Sequence, residues 1–441
     1  MPFSLTFCPS LVLGLRCARS IVWGIGLTLA FHAPCQAQAS TNDNTKANTS
    51  NPSPAPLVLL AAPVLRPEII KSLQAAQDAM KAGQLDVALS LAQQTMTLPG
   101  ITLEEKPVIQ RTLAGVALQM KNYALAISTL ESVLQDMPDT VPVPQRTQLI
   151  ESLLSVCQQA QDFERFVQWS RVYLELEGTN ATVRPVYIQT LAVLKMHKEV
   201  VAEINIKMKL DQAAQLKTPE NELRMLAISQ RQLKDDAGYN DTLKRLLVDY
   251  PSKAYWSEMI ARLARQASFN ARYDLDLYRL LELTGNMEEA NEYMDMANIA
   301  LKNGLPAEAA RVMAQAEAQG LLGKGPDAVM HQKLKIEVKQ KVAEDEKALP
   351  ALERSAKDAN TIASLAEVYA AKQQWDAAMA SYNKALAMGG LRREAEIKLH
   401  AGWAHFKAGQ KAPAIQLWDS IKDDATAMSL AQLCKIWATT H

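Results

Sequence analysis

His400 and His405 are the histidines of this 441-residue chain that stand nearest each other. A zinc-peptidase helix needs imidazoles at i and i+4 with a glutamate between them, so that both rings meet one metal. This pair has the wrong spacing, and H-E-x-x-H does not occur. Both histidines are therefore expected to be packed or solvated, and no metal is expected. GLLGKG, from Gly320 to Gly325, has the glycines of a phosphate loop but not the G-x-x-x-x-G-K-S/T order, and no strand precedes it. It reads as an interhelical loop. There is no G-x-S-x-G. Neither Cys157 nor Cys434 has a histidine neighbour that would make it a nucleophile. Asp274 and Asp276 are two apart on a presumed helix, so they point to different sides and do not make an acid–base pair. No convergent polar set emerges. The reading is a protein without catalytic residues or cofactor.

What would position such residues is informative in itself. In LAEVYAAKQQWDAAMASYNKAL, Leu365 to Leu386, Leu365 and Tyr369 share one helix face, and Ala378, Tyr382 and Ala385 share another. Lys372-Gln373-Gln374 is a short polar connection between them. The stretch predicts two antiparallel amphipathic helices. Its alanines sit where the two backbones come close, and its aromatics fill the wider gaps.

A helix pair of this kind cannot bury its apolar face alone, so copies are expected, and the chain supplies them. Gly402, Gly409, Ala414 and Trp418 make the next one. Leu113, Ala114, Ala117, Tyr123, Ala126 and Pro138 make an earlier one, preceded by Gly83 and Ala88. Leu226, Ala227 and Pro251 mark another, with Trp256 after it. Gly285 with Ala290, and Gly304 with Ala309, lie about one helix apart, so the helix expected over Met287–Lys302 serves both. The copies at Phe163 and Ala202 are degenerate. The order of small residue, tyrosine and later alanines resembles the tetratricopeptide pattern, which recurs about every 34 residues. That resemblance implies an all-α fold: a tetratricopeptide-like α-solenoid, a right-handed superhelix of antiparallel helix pairs.

The ends and composition add bounds. Arg16 and Arg19 precede an apolar run, Ile21–Phe31, that is short for a bilayer span, and Ala37-Gln38-Ala39 follows as a cleavage signal. Residues 1–39 read as a signal peptide, with an uncleaved anchor as the alternative. His32-Ala33-Pro34 does not fit a lipoprotein signal before Cys35. Residues 40–66, which include STNDNTKANTSNPSPAP, read as a disordered tether. Repeats are expected over 67–320, starting at Pro67, a good first-turn residue. A charged irregular helical segment with KLKIEVKQKVAEDEK spans 321–360, and further repeats with a capping helix span 361–441. Lys and Arg together equal Asp and Glu, 47 against 47. Without a basic field, nucleic acid is not an expected partner. Cys157 and Cys434 are far apart in sequence, and a disulfide between them is not expected in a solenoid.

Some pieces resemble a narrower group: DYPSKAYW (Asp249–Trp256), the span Ala290–Gly323, and LHAGWAHFKAGQKAPAIQLW (Leu399–Trp418). These are similar to periplasmic tetratricopeptide proteins of Gram-negative bacteria associated with TonB-type energy transduction. That likeness implies a periplasmic, membrane-associated accessory scaffold that binds partner proteins, including components of membrane complexes. In tetratricopeptide arrays the first helix of each pair lines a concave groove. Carried over position by position, this places Leu399, Trp403, Phe406 and Lys407 in the groove of the last full repeat, Arg224 and Arg231 in an earlier one, and Arg265 in the next. Two alternatives stand beside this. Trp403 and Phe406 could instead pack under the final helix. The groove could carry a lipid or an oligosaccharide stacked on the two aromatics.

Overall fold

The computed structural model of the chain describes residues 65–441. The expected signal peptide, and the tether up to residue 64, lie outside the described residues. Within them the chain forms twenty α-helices and one short 3-10 turn, with no strand. Two compact units divide between Asp235 and Asp236, a boundary that the repeat spacing does not mark.

The first unit contains α1 (Pro67–Lys81), α2 (Leu85–Met96), α3 (Lys106–Gln119), α4 (Tyr123–Asp136), α5 (Val143–Ala160), α6 (Phe163–Glu175), α7 (Val183–Val193), α8 (His197–Ala213) and α9 (Glu220–Gln232). Each packs chiefly on its neighbours in the chain. The helices start where a terminal amide finds a partner or needs none. Asn122 and Asp162 accept from the backbone N–H groups of Leu125 and Arg165. Pro67 and Pro144 occupy first-turn positions where the missing N–H costs nothing. The turns inside the helix pairs share one device. A residue at the same place takes a left-handed conformation, Gly83 in the first pair but Lys121, Gln161 and Lys195 in later ones. A side chain is disfavoured there, so glycine marks this turn in only some copies and the motif fades in the others. A continuous apolar cluster runs from Ala114 through Ile150, Phe166 and Ile188 to Leu226.

The second unit contains α10 (Asp236–Asp249), α11 (Lys253–Ala264), α12 (Asp274–Leu283), α13 (Ala290–Lys302), α14 (Pro306–Ala318), α15 (Ala328–Ser355), α16 (Ala359–Ala371), α17 (Trp375–Met388), α18 (Glu394–Lys407), α19 (Lys411–Asp419) and α20 (Ala425–Thr440). The pairs α13–α14, α16–α17 and α18–α19 are its most closely packed. In the α16–α17 pair, Ala366, Ala378, Ala385 and Tyr382 are all wholly buried, so the small residues lie where the backbones approach and the ring fills the gap beside them. Gly402 serves the same purpose on α18. A Cβ there would stand 2.6 Å from Cδ1 of Trp418 on α19. Helix α13 also packs on α12, so it serves two pairs. Helix α15 is a single helix of 28 residues, and only His331, Leu334 and Val338 of it are buried. Its charged face is solvated.

This unit departs from nearest-neighbour stacking. Helix α20 returns to pack on α10 and α12, and α14 packs on α16 past the intervening long helix. Tyr273 Oη donates to Asp424 over 2.9 Å, Arg272 pairs with the same carboxylate, and Asn270 N–H donates to Thr426 Oγ1. Trp256 and Trp437 meet edge to face, centroids 5.7 Å apart. A pure solenoid keeps distant repeats apart, and here closure brings them together.

Candidate binding site

The closure creates a buried ionic cluster on the inward faces of α12, α14, α16 and α18. Asp276 and Arg279 lie one turn apart on α12 and pair at 3.0 Å. Arg279 also grips Glu308, in the first turn of α14, through Nε at 2.9 Å and Nη2 at 2.7 Å. That two-pronged geometry matches the planar guanidinium to a carboxylate. His400, on α18, completes the set. Its Nε2 lies 3.0 Å from Asp276 and its Nδ1 lies 2.7 Å from Glu367 on α16. A ring with a carboxylate at each nitrogen donates from both, which is the doubly protonated form.

The titration behaviour follows from this geometry. Burial opposes the charge on His400, but Glu367 and Asp276 outweigh it and hold the imidazolium well above its usual range. Burial likewise works against the ionised forms of Asp276 and Glu367, and His400 with Arg279 reverses the outcome, so both stay below their usual values. Arg279 is held well above its ordinary value despite burial, chiefly by Glu308. Beside Glu367 the phenol of Tyr382 is wholly buried, and its hydroxyl engages that carboxylate. Burial, and then the neighbouring carboxylate, drive its pKa well up.

Next to the cluster opens a pocket of about 460 Å³. Its charged wall carries Arg279, Arg311, His400 and Lys407 against Glu282, Glu308 and Glu367, and its aromatic wall carries Trp375, Tyr382 and Trp403. Arg311 binds Glu282 at both oxygens, the Nη2–Oε2 contact being 2.7 Å. Lys407 has no ion-pair partner within the described residues. Partial desolvation lowers its pKa, with Arg311 adding to the effect and Glu282 opposing it.

The residues expected in a groove are distributed as follows. Trp403 and Lys407, one turn apart on α18, line this pocket. Phe406 does not line it. Phe406 and Trp403 pack against Trp418 of α19, centroids 6.2 and 5.7 Å away. Leu399 overturns its assignment. It is wholly buried, and its carbonyl accepts from Trp418 Nε1 at 3.1 Å, so it belongs to the contact between paired helices and offers no groove surface. Arg265 is exposed at the end of α11 and lies outside the pocket wall. Arg224, half-buried, and Arg231, exposed, are on α9 in the other unit. The sequence reading weighed Asp276 only as a partner for Asp274 and missed Arg279, Glu308 and Glu367. Their only sequence signal is that charges interrupt helices otherwise rich in alanine and leucine. Among the described residues, no group of His, Cys, Asp and Glu side chains could hold a metal ion, and no helix is long and apolar enough to cross a membrane. Cys157 and Cys434 are both free and buried.

Among the described residues the fold is all-α, built from antiparallel helix pairs that pack chiefly on their neighbours in the chain. No protein-family model matches the chain, and no curated protein is similar to it in sequence. Solved structures similar to it include a tetratricopeptide repeat protein from Parabacteroides merdae, 12% identical, covering 76% of this chain and 98% of that one, TM-score 0.28. Yeast Tom70 is 14% identical over 84% of this chain and 95% of its own, TM-score 0.25. The TPR2AB domain of yeast Sti1, in complex with a pHSP90, is 16% identical over 62% and 98%, TM-score 0.29.

Proposed function

We propose that this chain is a non-catalytic scaffold that binds partner proteins. The observation that carries the reading is the serial array of antiparallel helix pairs. Each pair spends its apolar face on its neighbours and leaves its outer face for partners. A non-catalytic reading is also consistent with His400. Both of its nitrogens are engaged by carboxylates, so it has no lone pair with which to act as a base. The reading extends to export into the periplasm and association with a TonB-type envelope complex. The arginine-flanked apolar run before Ala37-Gln38-Ala39 and the three resembling stretches support this. A lipid carrier is disfavoured because the pocket wall is built from ion pairs and is not a continuous apolar tunnel.

The test places photo-crosslinking side chains at exposed Arg231 and Arg265 and, as control, at exposed Lys384, in intact cells. Position-dependent adducts with one envelope protein are expected from the first two. Identical adducts at all three positions, or none, would refute a specific docking surface. N-terminal sequencing of the mature protein tests export separately, with Ser40 expected as its first residue.

A further inference from the structure

Helix α15 is the longest among the described residues, and it packs on its own unit along one side only. That side carries His331, Leu334 and Val338. On the opposite side stands a second apolar row, Val329, Ile336 and Ala343, at intervals of seven residues. Val329 is 68% and Ile336 58% exposed. A seven-residue apolar interval is the seam spacing of a helix that lies along another helix. A merely solvated spacer has no use for such a row, because its contact with α14 is already made on the other side.

The charges beside the row are sorted along the helix. Residues 328–341 carry four lysines against Glu337, and residues 342–355 carry four acids against Lys347 and Arg354. Two α15 helices laid antiparallel set the basic half of each against the acidic half of the other, whereas a parallel pair sets like charge on like. The apolar row fixes the register. With Ile336 packed on Ala343 of a second copy, Lys333 lies only about 3 Å along the axis from the level of the second copy's Glu344. Both residues stand on the same flank of the row, and in an antiparallel pair like flanks face each other. The contact occurs twice by symmetry. Among the described residues Lys333 makes no ion pair, while Lys335 and Lys341 are held by Glu317 and Glu344.

We infer that the outer face of α15 is an interface for a second copy of this chain, with the two helices packed antiparallel about a two-fold axis beside Gln340. Such a contact uses the same surface on both copies and closes at two. It is separate from the partner surface proposed above.

Sedimentation equilibrium of the full mature chain should show a reversible monomer–dimer association. Ile336→Lys puts a charge in the seam and should weaken the dimer at least about tenfold; its helicity should not change, because the side chain is exposed. Lys333→Glu should also weaken the dimer, and adding Glu344→Lys should restore it, a recovery that a purely local effect on α15 would not produce. Cys157 and Cys434 are buried, so an introduced surface thiol reports alone. Gln340→Cys should form a disulfide-linked dimer on mild oxidation. Lys333→Cys should not, because its counterpart lies about 20 Å away along the axis, beyond disulfide reach. The inference is overturned by a wild-type chain that stays monomeric up to roughly millimolar concentration, by an Ile336→Lys dimer of unchanged strength, or by equal crosslinking of the two thiols. A monomeric chain whose photo-crosslinker at Ile336 captures a different protein would give this face to that partner and overturn the self-pairing.

Discussion

His400→Gln removes one positive charge from a closed cluster and leaves donors on one nitrogen only. In the native protein Arg279 and His400 face Asp276, Glu308 and Glu367. After the substitution Arg279 alone faces three carboxylates, of which Asp276 is 3% and Glu308 6% exposed. Breaking one partner out of a buried ionic set costs about 3–5 kcal/mol, because the remaining charges stay desolvated without compensation. The expected loss at neutral pH is therefore of that size, well above the ~0.5 kcal/mol of a typical surface change.

The pH dependence sharpens the test. The folded state raises the pKa of His400 above its ordinary 6.5. Its contribution is thus complete below about pH 6.5 and declines as pH rises through the folded value. Asp276 and Glu367 are held below their ordinary 3.8 and 4.5. Their contributions are present above those values and are lost as pH falls through the folded ones. Wild type should show a stability plateau on the mildly acidic side and lose stability on the alkaline side. In the His400→Gln protein the alkaline loss disappears. Its deficit should shrink on acidification, as one of the freed carboxylates takes up a proton. Urea denaturation followed by tryptophan fluorescence at several pH values measures both effects. The double variant with Glu367→Gln should recover part of the loss, by about 0.5–3 kcal/mol of coupling. A deficit below about 1 kcal/mol, or an unchanged alkaline slope, would show that the cluster does not hold the unit closed.

Two further outcomes concern the helix pairs. Ala378→Leu inserts a branched side chain where α16 and α17 touch and should cost roughly 1–3 kcal/mol, whereas a change at exposed Lys384 should stay within about 0.5 kcal/mol; chemical denaturation of both variants checks the contrast. Lys121→Gly relieves a left-handed turn residue, φ 58°, and should raise stability by up to about 1 kcal/mol, read as an upward shift of the urea midpoint.

Residue types and their local spacing sufficed for the helix pair. Ala366, Ala378, Tyr382 and Ala385 repeat with the period of a helix, and that period alone says which side must meet a partner. The turn after Tyr369 was equally legible as a polar break. Leu399 shows where this information ends. Its place on a first helix suggested a groove, yet Leu399 is wholly buried and its carbonyl accepts from Trp418 of the paired helix. Helical periodicity identifies a buried face, but the rotation of one helix against the next depends on how particular side chains interlock. Here the interlock is Trp418 lying over Gly402. The ionic cluster was illegible for a stronger reason. Asp276, Glu308, Glu367 and His400 come from four helices, and the first and last are 124 residues apart. Nothing local to any of them encodes the meeting. Their approach depends on the packing of the helices between them, with α14 on α16 and α20 back on α10 and α12. Sequence by itself thus determined that this is a stack of helix pairs. Only the tertiary structure decided that its second unit closes, because closure is a property of the accumulated path and not of any repeat within it.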